Sequence, residues 1–469
     1  MGLFGVTSNT GTRWKGRPTA LVSGLALLTA VATAAAPTAV YAQAGDRVPI
    51  VRDAEAEALL QEYVRPLREA AGVTRPDILL VPSQAFNAFV TGRGNVFVNV
   101  GAIIDTETPN ELIGVLAHEI AHLAHDDVAH MTQQIEDTKL AMTLAGLVGI
   151  GAAVAGAASG SQGATQAGAG ILGSAIGVGQ RSLLRFQRDK ESAADRSAMQ
   201  YLNATGQSGA GMLATLQRLA DDNLLSSQGA NPYLMSHPLP RERVLEIENL
   251  LSQSQYTGRG DPEGLRLRHD LLRAKLIGFT WQPGNVQRRY GLGDNSLPAR
   301  YARAIVTFRT GRPAEAVEQI DQLIAAAPKN PYFHELRGQA LLETGNPKAS
   351  VASFRKAVAL APNSSLLRII LGQALVATRD PGVAREAIEL LSAAMQGDTD
   401  IAEGHRALAR AYAMVDNIPM AQLATAEGLF AQGNYDEARM QAERAQVKLK
   451  TGSPAWLRAD DIVTYNAPK

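Results

Sequence analysis

Apolar residues recur at helical spacing over most of the chain, so the hydrophobic pattern predicts a mainly α protein. Residues 53–71 carry one apolar stripe along a single helix face. The same spacing returns in three later segments, 181–203, 209–222 and 241–251. Aromatic residues make up only 5% of the chain, which suits helices packed through Ala and Leu.

Between the first predicted helix and the later ones, the apolar residues follow the shorter pattern that is typical of β-strands. Residues 78–81 form a short apolar run. Residues 86–90 and 95–100 flank a Gly-Arg-Gly turn at 92–94, which predicts a β-hairpin. The sequence therefore predicts a small sheet followed by helices.

Residues 118–122 read His-Glu-Ile-Ala-His and carry the clearest chemical signal in the chain. A capping box at 108–111, with Pro at the first helical position, starts a helix that contains this motif. Four helical steps bring His118 and His122 onto one face, where both can bind a single zinc ion. Glu119 then reaches the open side of the metal, where a carboxylate can take a proton from water. The motif predicts a zinc hydrolase site.

A small sheet followed directly by the metal-binding helix is the order of a zincin-type α+β peptidase. In that architecture the helix lies beneath an edge strand, and we expect residues 95–100 to be that strand. Its free backbone groups would hold an extended peptide by strand addition. The candidate substrate contacts are Asn95, Val96 and Phe97. An ordinary half-buried hairpin is the alternative interpretation.

A catalytic zinc ion needs a third protein ligand and an open position for water. His125 shares a face with His118 but lies about 10 Å further along the helix axis, and His130 is similar. Neither is expected to complete the site. Glu191 and Asp195 share a face of a later predicted helix and are separated by small residues. Glu191 would bind zinc while Asp195 accepts the second ring N–H of a ligand histidine; a solvated surface pair is the alternative.

Residues 140–180 contain no charged residue and are rich in Gly, Ala and Ser. We interpret this segment as a loose lid or plug beside the active site, or as a peripheral membrane contact. Residues 140–158 are long enough to cross a bilayer, although their Gly and Ala content makes the transfer energy weak. A transmembrane hairpin is therefore the alternative.

The chain repeats itself every 34 residues after position 300. Gly338 and Gly372 are one interval apart, as are Gly311 and Gly345. Small residues inside helices and a Gly-x-Pro turn at this period are the tetratricopeptide signature. Residues 300–450 are therefore predicted to form an α-solenoid whose concave surface binds proteins or peptides.

The first residues resemble an export signal. Positive residues precede an apolar, Ala-rich stretch at 19–36, and small residues near positions 42 and 44 offer cleavage sites. The chain has no cysteine, so neither a disulfide nor a lipoprotein anchor can form. The formal net charge is zero, with no basic block, which argues against a nucleic-acid partner. The expected location is the periplasm.

The paired motifs at 118–122 and 191–195 resemble those of zinc peptidases related to the prenyl-protein (CAAX) endopeptidase and the HtpX heat-shock protease. This resemblance implies that Glu191 is the third ligand, and that Asp195 is a supporting acid in the catalytic site. It also implies a regulatory or auxiliary role for His237 in a His-Pro loop, together with the basic residue Arg243. An export signal and a tetratricopeptide tail resemble a periplasmic branch of this family. That branch implies substrates among outer-membrane proteins and contacts with their assembly machinery.

The sequence as a whole predicts a zinc-dependent endopeptidase of the cell envelope that binds one Zn²⁺ per chain. The rival interpretations are a chaperone-like assembly factor with little proteolysis and a membrane-integrated protease similar to HtpX. We expect the peptidase domain to fold without the solenoid. The predicted order is a signal peptide (1–44), a peptidase domain (45–254), a connector (255–299), a repeat domain (300–450) and a C-terminal tail (451–469).

Overall fold

The structure is a computed structural model. It describes the residues in six ranges: 48–74, 76–92, 94–158, 162–225, 231–397 and 401–466. The predicted export signal lies outside these ranges. Residues 133–186 form one compact unit, and the described residues on either side of that segment form a second unit.

The first part of the chain combines helices with a small sheet. Its helices are α1 (Ala54–Ala71), α2 (Val100–Asp105), α3 (Pro109–Ala124), α4 (Asp127–Ala158), α5 (Gln162–Ala204), α6 (Ala210–Leu225), α7 (Pro232–Ser236) and α8 (Arg241–Ser252). Its strands are β1 (Ile78–Val81), β2 (Ala88–Val90) and β3 (Val96–Asn99). The predicted fold class, an α+β domain followed by an α-solenoid, is confirmed.

The predicted hairpin is present, but its second strand does not lie at an edge. The strand order is β1–β3–β2, with β1 parallel and β2 antiparallel to β3. Both sides of β3 are hydrogen-bonded, so the expectation that 95–100 form the edge strand is wrong. Asn95, Val96 and Phe97 therefore cannot hold a peptide by strand addition. Of the two edge strands, β2 packs against α3.

Helix α3 carries the His-Glu-x-x-His motif through the middle of the peptidase core. Thr108 caps its start by accepting from the amide of Glu111 at 3.3 Å, and Pro109 occupies the first turn, as predicted. The helix is buried on almost every side because α1, α6 and β2 all pack against it. Gly114 lets α6 approach closely, since an added Cβ would lie 2.5 Å from Met212. The motif is therefore held rigidly.

The uncharged segment at 140–180 is helical. Apart from the undescribed residues 159–161, it belongs to α4 and α5. The predicted helix at 181–203 is the last part of α5. Among the described residues, no helix combines the length and the apolarity that are needed to span a bilayer.

The predicted connector is part of the folded core. It forms two helices, α9 (Glu263–Thr280) and α10 (Pro283–Arg289). Buried residues of α9, including Leu272 and Ile277, belong to the same hydrophobic cluster as the residues of α3. Gly and Pro at 255–298 suggested a linker, but the apolar face of α9 is covered by the peptidase core.

The solenoid follows without a break. Its helices are α11 (Leu297–Arg309), α12 (Pro313–Ala326), α13 (Pro331–Glu343), α14 (Pro347–Leu360), α15 (Ser365–Ala377), α16 (Ala384–Gly397), α17 (Ala402–Met414), α18 (Ile418–Ala431), α19 (Tyr435–Gln446) and α20 (Pro454–Thr464). Small residues of the repeat lie where helices touch; an added Cβ on Gly338 would lie 2.7 Å from the Phe354 ring. The predicted tail contains α20, whose Ala459 and Ile462 are buried against α18 and α19.

Candidate metal centre

Four buried side chains converge at the middle of α3. They are His118, His122, Glu191 and His237, and one ligand atom from each lies within 4.8 Å of all the others. The first two come from α3, the third from α5, and His237 from the loop that follows α7. Three segments that are distant in the sequence thus place nitrogen and oxygen donors at one point.

The spacing of these donors fits one tetrahedral ion. Ligand bonds of about 2.1 Å in a tetrahedron place donor atoms roughly 3.4 Å apart. The Nε2 atoms of His118 and His122 are 3.0 Å apart. Carboxylate oxygens of Glu191 lie 3.3 Å and 3.5 Å from the same two nitrogens. Nδ1 of His237 lies 3.3 Å from Nε2 of His118 and 3.1 Å from Glu191. The four groups match the corners of one coordination site.

A buried carboxylate holds the outer nitrogen of His118. Nδ1 of that ring lies 2.9 Å from Oδ1 of Asp195, which leaves Nε2 turned toward the other donors. Arg243 donates to both oxygens of Asp195, at 2.6 and 2.9 Å. The arginine is itself buried and also lies 3.0 Å from Glu191. Arg243 therefore fixes two acids of the α5 motif at once.

His122 is held by a carboxylate that sequence reasoning missed. Its Nδ1 donates to Oδ2 of Asp127 at 2.8 Å. Along a continuous helix, a residue five positions after His122 would point roughly 140° away. The chain instead breaks at Asp126, which has a left-handed φ of 52°. An acidic residue just past the predicted helix end was the available signal, but the spacing gave no indication of this break.

Glu119 is buried beside the cluster of metal-ligand groups. Its side chain is fully buried, and within the described part of the chain neither carboxylate oxygen makes a hydrogen bond. Its nearest charged contact is Nε2 of His237 at 3.5 Å. An unpaired buried carboxylate is costly, so this group fits a site that is completed by a metal ion and water.

The loop that carries His237 is fixed from several directions. The His237 ring lies 4.7 Å from the ring of Tyr233. Gln187 donates to the Ser236 carbonyl at 2.9 Å, and Arg243 donates to the Pro238 carbonyl at 2.6 Å. Arg243 thus links the His-Pro loop to the two acids of α5.

The electrostatics of the cluster favour a cation. Burial disfavours a charged imidazole, but Asp195 and Glu191 outweigh it and raise the pKa of His118 to about 10. Burial likewise opposes ionisation of Glu191, yet His237 and His122 hold the pKa of that carboxyl well below its usual range. The acids of the site therefore stay ionised and attract positive charge.

The other candidate histidines lie elsewhere. Nε2 of His125 is 3.0 Å from the hydroxyl of Ser197. His130 is exposed and lies 3.2 Å from the ammonium of Lys190. Neither belongs to the metal-ligand group found among the described residues.

Comparisons with known proteins agree with this geometry. Residues 54–251 match Peptidase family M48, and residues 301–365 and 396–454 match the tetratricopeptide repeat. The β-barrel assembly-enhancing protease of Escherichia coli K12 is 25% identical over 434 residues, which covers 88% of this chain and 83% of that protein. The protein of the same name from Yersinia pestis is 28% identical over 304 residues, 60% of this chain and 58% of that one. A protease HtpX homolog from Persephonella marina is 44% identical over 72 residues, 15% of this chain and 25% of that one.

The fold and the site define a metalloprotease with a helical-repeat domain. A region of the chain that matches peptidase family M48 is followed by tetratricopeptide repeats. The predicted family and enzyme class are therefore confirmed.

Proposed function

We propose that this protein is a zinc-dependent endopeptidase of the bacterial periplasm that degrades outer-membrane proteins which have failed to assemble. One observation carries the chemistry: the carboxylate of Glu119, which makes no hydrogen bond to the described residues, is buried against four converging metal-ligand groups. The choice of zinc follows from the mixed histidine and carboxylate donors at tetrahedral spacing.

His118, His122 and Glu191 would hold the ion. When bound, zinc supplies a Lewis acid that lowers the pKa of water and polarises the scissile carbonyl. Glu119 takes a proton from the attacking water and passes it to the leaving amine. Asp195 and Arg243 keep His118 and Glu191 in place while this happens. The free edge of β2, rather than β3, offers backbone groups to an extended substrate.

His237 would restrain the enzyme. Its Nδ1 occupies the fourth corner of the donor set, which is the position that water needs in a catalytic zinc site. A protein held in this arrangement is latent, because no coordination position is left for water. Movement of the His-Pro loop away from the other donors would free that position.

The substrate class rests on the relatives and the repeats. Relatives along most of the chain are named β-barrel assembly-enhancing proteases. The solenoid would bind substrates or the outer-membrane assembly machinery on its concave surface. The apolar stretch at 19–36 and the small residues after it would direct export.

We also propose a peripheral membrane contact through α4. Four large apolar side chains on one face of this helix are between 55% and 63% exposed: Leu140, Leu144, Leu147 and Val148. Such a face can bury itself in the lipid interface without crossing the bilayer.

The experiment that tests the proteolytic function compares wild type with Glu119→Gln. The variant should keep one zinc ion per chain but cleave an unstructured polypeptide at least about 100-fold more slowly, because the general base is lost. Glu136→Gln, which changes an exposed glutamate of α4, is the matched control. Equal cleavage by all three proteins would overturn the proposed mechanism.

A further inference from the structure

Asp127 connects the two helices that supply the metal ligands. Its Oδ2 accepts from Nδ1 of His122 at 2.8 Å, and its Oδ1 lies 2.8 Å from the ammonium of Lys190. Lys190 directly precedes the ligand Glu191 on α5. One buried carboxylate therefore contacts a ligand on α3 and the neighbour of a ligand on α5.

The backbone around Asp127 is arranged for this contact. Helix α3 ends at Ala124, and Asp126 then adopts a left-handed conformation that L-residues other than glycine adopt at a cost of about 1–2 kcal/mol. Asp is among the few non-glycine residues that adopt it readily. The reversal starts α4 at Asp127 and turns its side chain back toward His122. The cost of this turn is offset by contacts that a continuous helix could not make.

We propose that Asp127 is a positioning residue of the metal centre, which it serves by orienting His122 and tying α5 to α3. This inference rests on the proposed metal site. Because the carboxylate accepts from Nδ1, that nitrogen carries the proton and Nε2 keeps its lone pair for the ion. Lys190 forms an ion pair with the other oxygen, so both oxygens of Asp127 face a nitrogen that carries protons.

Asparagine at this position is the informative change. It is similar in size, and the Asp127 side chain contacts His122 and Lys190 rather than capping the helix, so α4 is retained. However, an amide offers one acceptor oxygen. The charged ammonium of Lys190 is the stronger donor and takes it, so the NH₂ group faces the Nδ1–H of His122. Asp127→Asn therefore removes one of the two contacts without opening a cavity.

The test measures zinc affinity of the full chain by competition with a chromophoric chelator. Asp127→Asn should bind zinc about 10- to 100-fold more weakly than wild type. Asp126→Asn is the matched control, since it makes the same change at an exposed residue one position away and should bind like wild type. In the zinc-loaded protein, the Nδ1 proton of His122 should give a slowly exchanging NMR signal, and this signal should be lost in Asp127→Asn.

His122→Ala separates the two proposals. Suppose that wild type binds zinc tightly and His122→Ala binds it weakly. If Asp127→Asn then matches wild type in both zinc affinity and proton signal, the metal centre stands and the proposed role of Asp127 is wrong. If wild type binds no more tightly than His122→Ala, the metal centre itself is wrong and the inference is overturned with it.

Discussion

At the scale of single residues, each α3 histidine of the centre has a separate buried acid behind it. Asp195 lies behind His118, and Asp127 lies behind His122. Each acid is in turn held by a cation, Arg243 in the first case and Lys190 in the second. A charged partner on the outer side of each ring fixes its orientation, so the inner nitrogens face the other donors of the cluster.

The ring of His237 is placed differently, because its Nδ1 faces the cluster and its Nε2 lies 3.5 Å from the candidate general base Glu119. We predict that His237→Ala keeps one zinc ion per chain but cleaves an unstructured substrate at least about tenfold faster. A tenfold increase corresponds to a wild-type protein in which about 90% of the molecules are latent and about 10% are active. Zinc analysis and a peptidase assay check this. Ser236→Ala is the control and should leave the rate unchanged, because the Ser236 hydroxyl donates to the nearby carbonyls of Pro232 and Tyr233. A slower His237→Ala enzyme would instead indicate that the imidazole assists the reaction.

At the scale of helices and strands, local pattern and long-range pairing were predictable to different degrees. The capping box and the motif helix follow from residues within one or two turns, and the structure has both. The central position of β3 depends on its parallel pairing with β1, and no local spacing encodes strand order. The contact of Asp127 was missed for a similar reason, because it depends on one backbone reversal.

Helix α4 permits a prediction at this scale. Replacing Leu144 and Leu147 together by Asp should weaken binding to vesicles of phosphatidylethanolamine and phosphatidylglycerol by more than about tenfold, because two exposed apolar side chains no longer enter the interface. Cosedimentation measures the bound fraction. Leu457→Asp in α20 is the control, since Leu457 is similarly exposed at 50%. Equal cosedimentation of all three proteins would exclude this face as the contact.

At the scale of the whole chain, the peptidase and the solenoid share buried charges. Nζ of Lys275 in α9 lies 2.8 Å from Asp53, 3.5 Å from Glu55 and 3.7 Å from Glu335 of α13. The hydroxyl of Tyr301 donates to Glu55 at 3.2 Å. The start of α1 therefore contacts Tyr301 of the first repeat directly and is linked through Lys275 to Glu335 of the second.

This network makes stability depend on pH. Burial raises the pKa of Glu55 from 4.5 to about 7, although Lys275 opposes the shift. Between these values the folded chain keeps a proton that the unfolded chain has lost, so the contribution of Glu55 to stability falls as pH rises. Relative to Glu55→Gln, wild type should lose up to about 1.4 kcal/mol per pH unit across this window. Urea unfolding at several pH values measures the difference.

Glu318→Gln, at an exposed position of α12, is the control for this effect and should follow the wild-type curve. Parallel curves for wild type and Glu55→Gln would show that Glu55 ionises normally in the folded protein.

The shared core also changes what is expected of a truncated chain. The sequence suggested that the peptidase domain folds without residues 300–469, because solenoid repeats contact mainly their neighbours. However, Ala302 belongs to the peptidase core, Tyr301 donates to Glu55, and Lys275 would lose Glu335. We therefore predict that a chain ending at 299 shows no cooperative unfolding transition by circular dichroism. A chain ending at 450 lacks only α20 and should unfold cooperatively; cooperative unfolding of both would support independent domains.

The bond between Tyr301 and Glu55 joins residues that are 246 positions apart. Chains are synthesised from the N-terminus, so Tyr301, which contacts the start of α1, is made only after more than half of the polypeptide. The four metal-ligand groups found among the described residues all precede Tyr301 in the chain. The core around α3 nevertheless includes residues of α11, so it is complete only when α11 has been made. The order of synthesis thus places completion of the peptidase core after the first residues of the solenoid have been made.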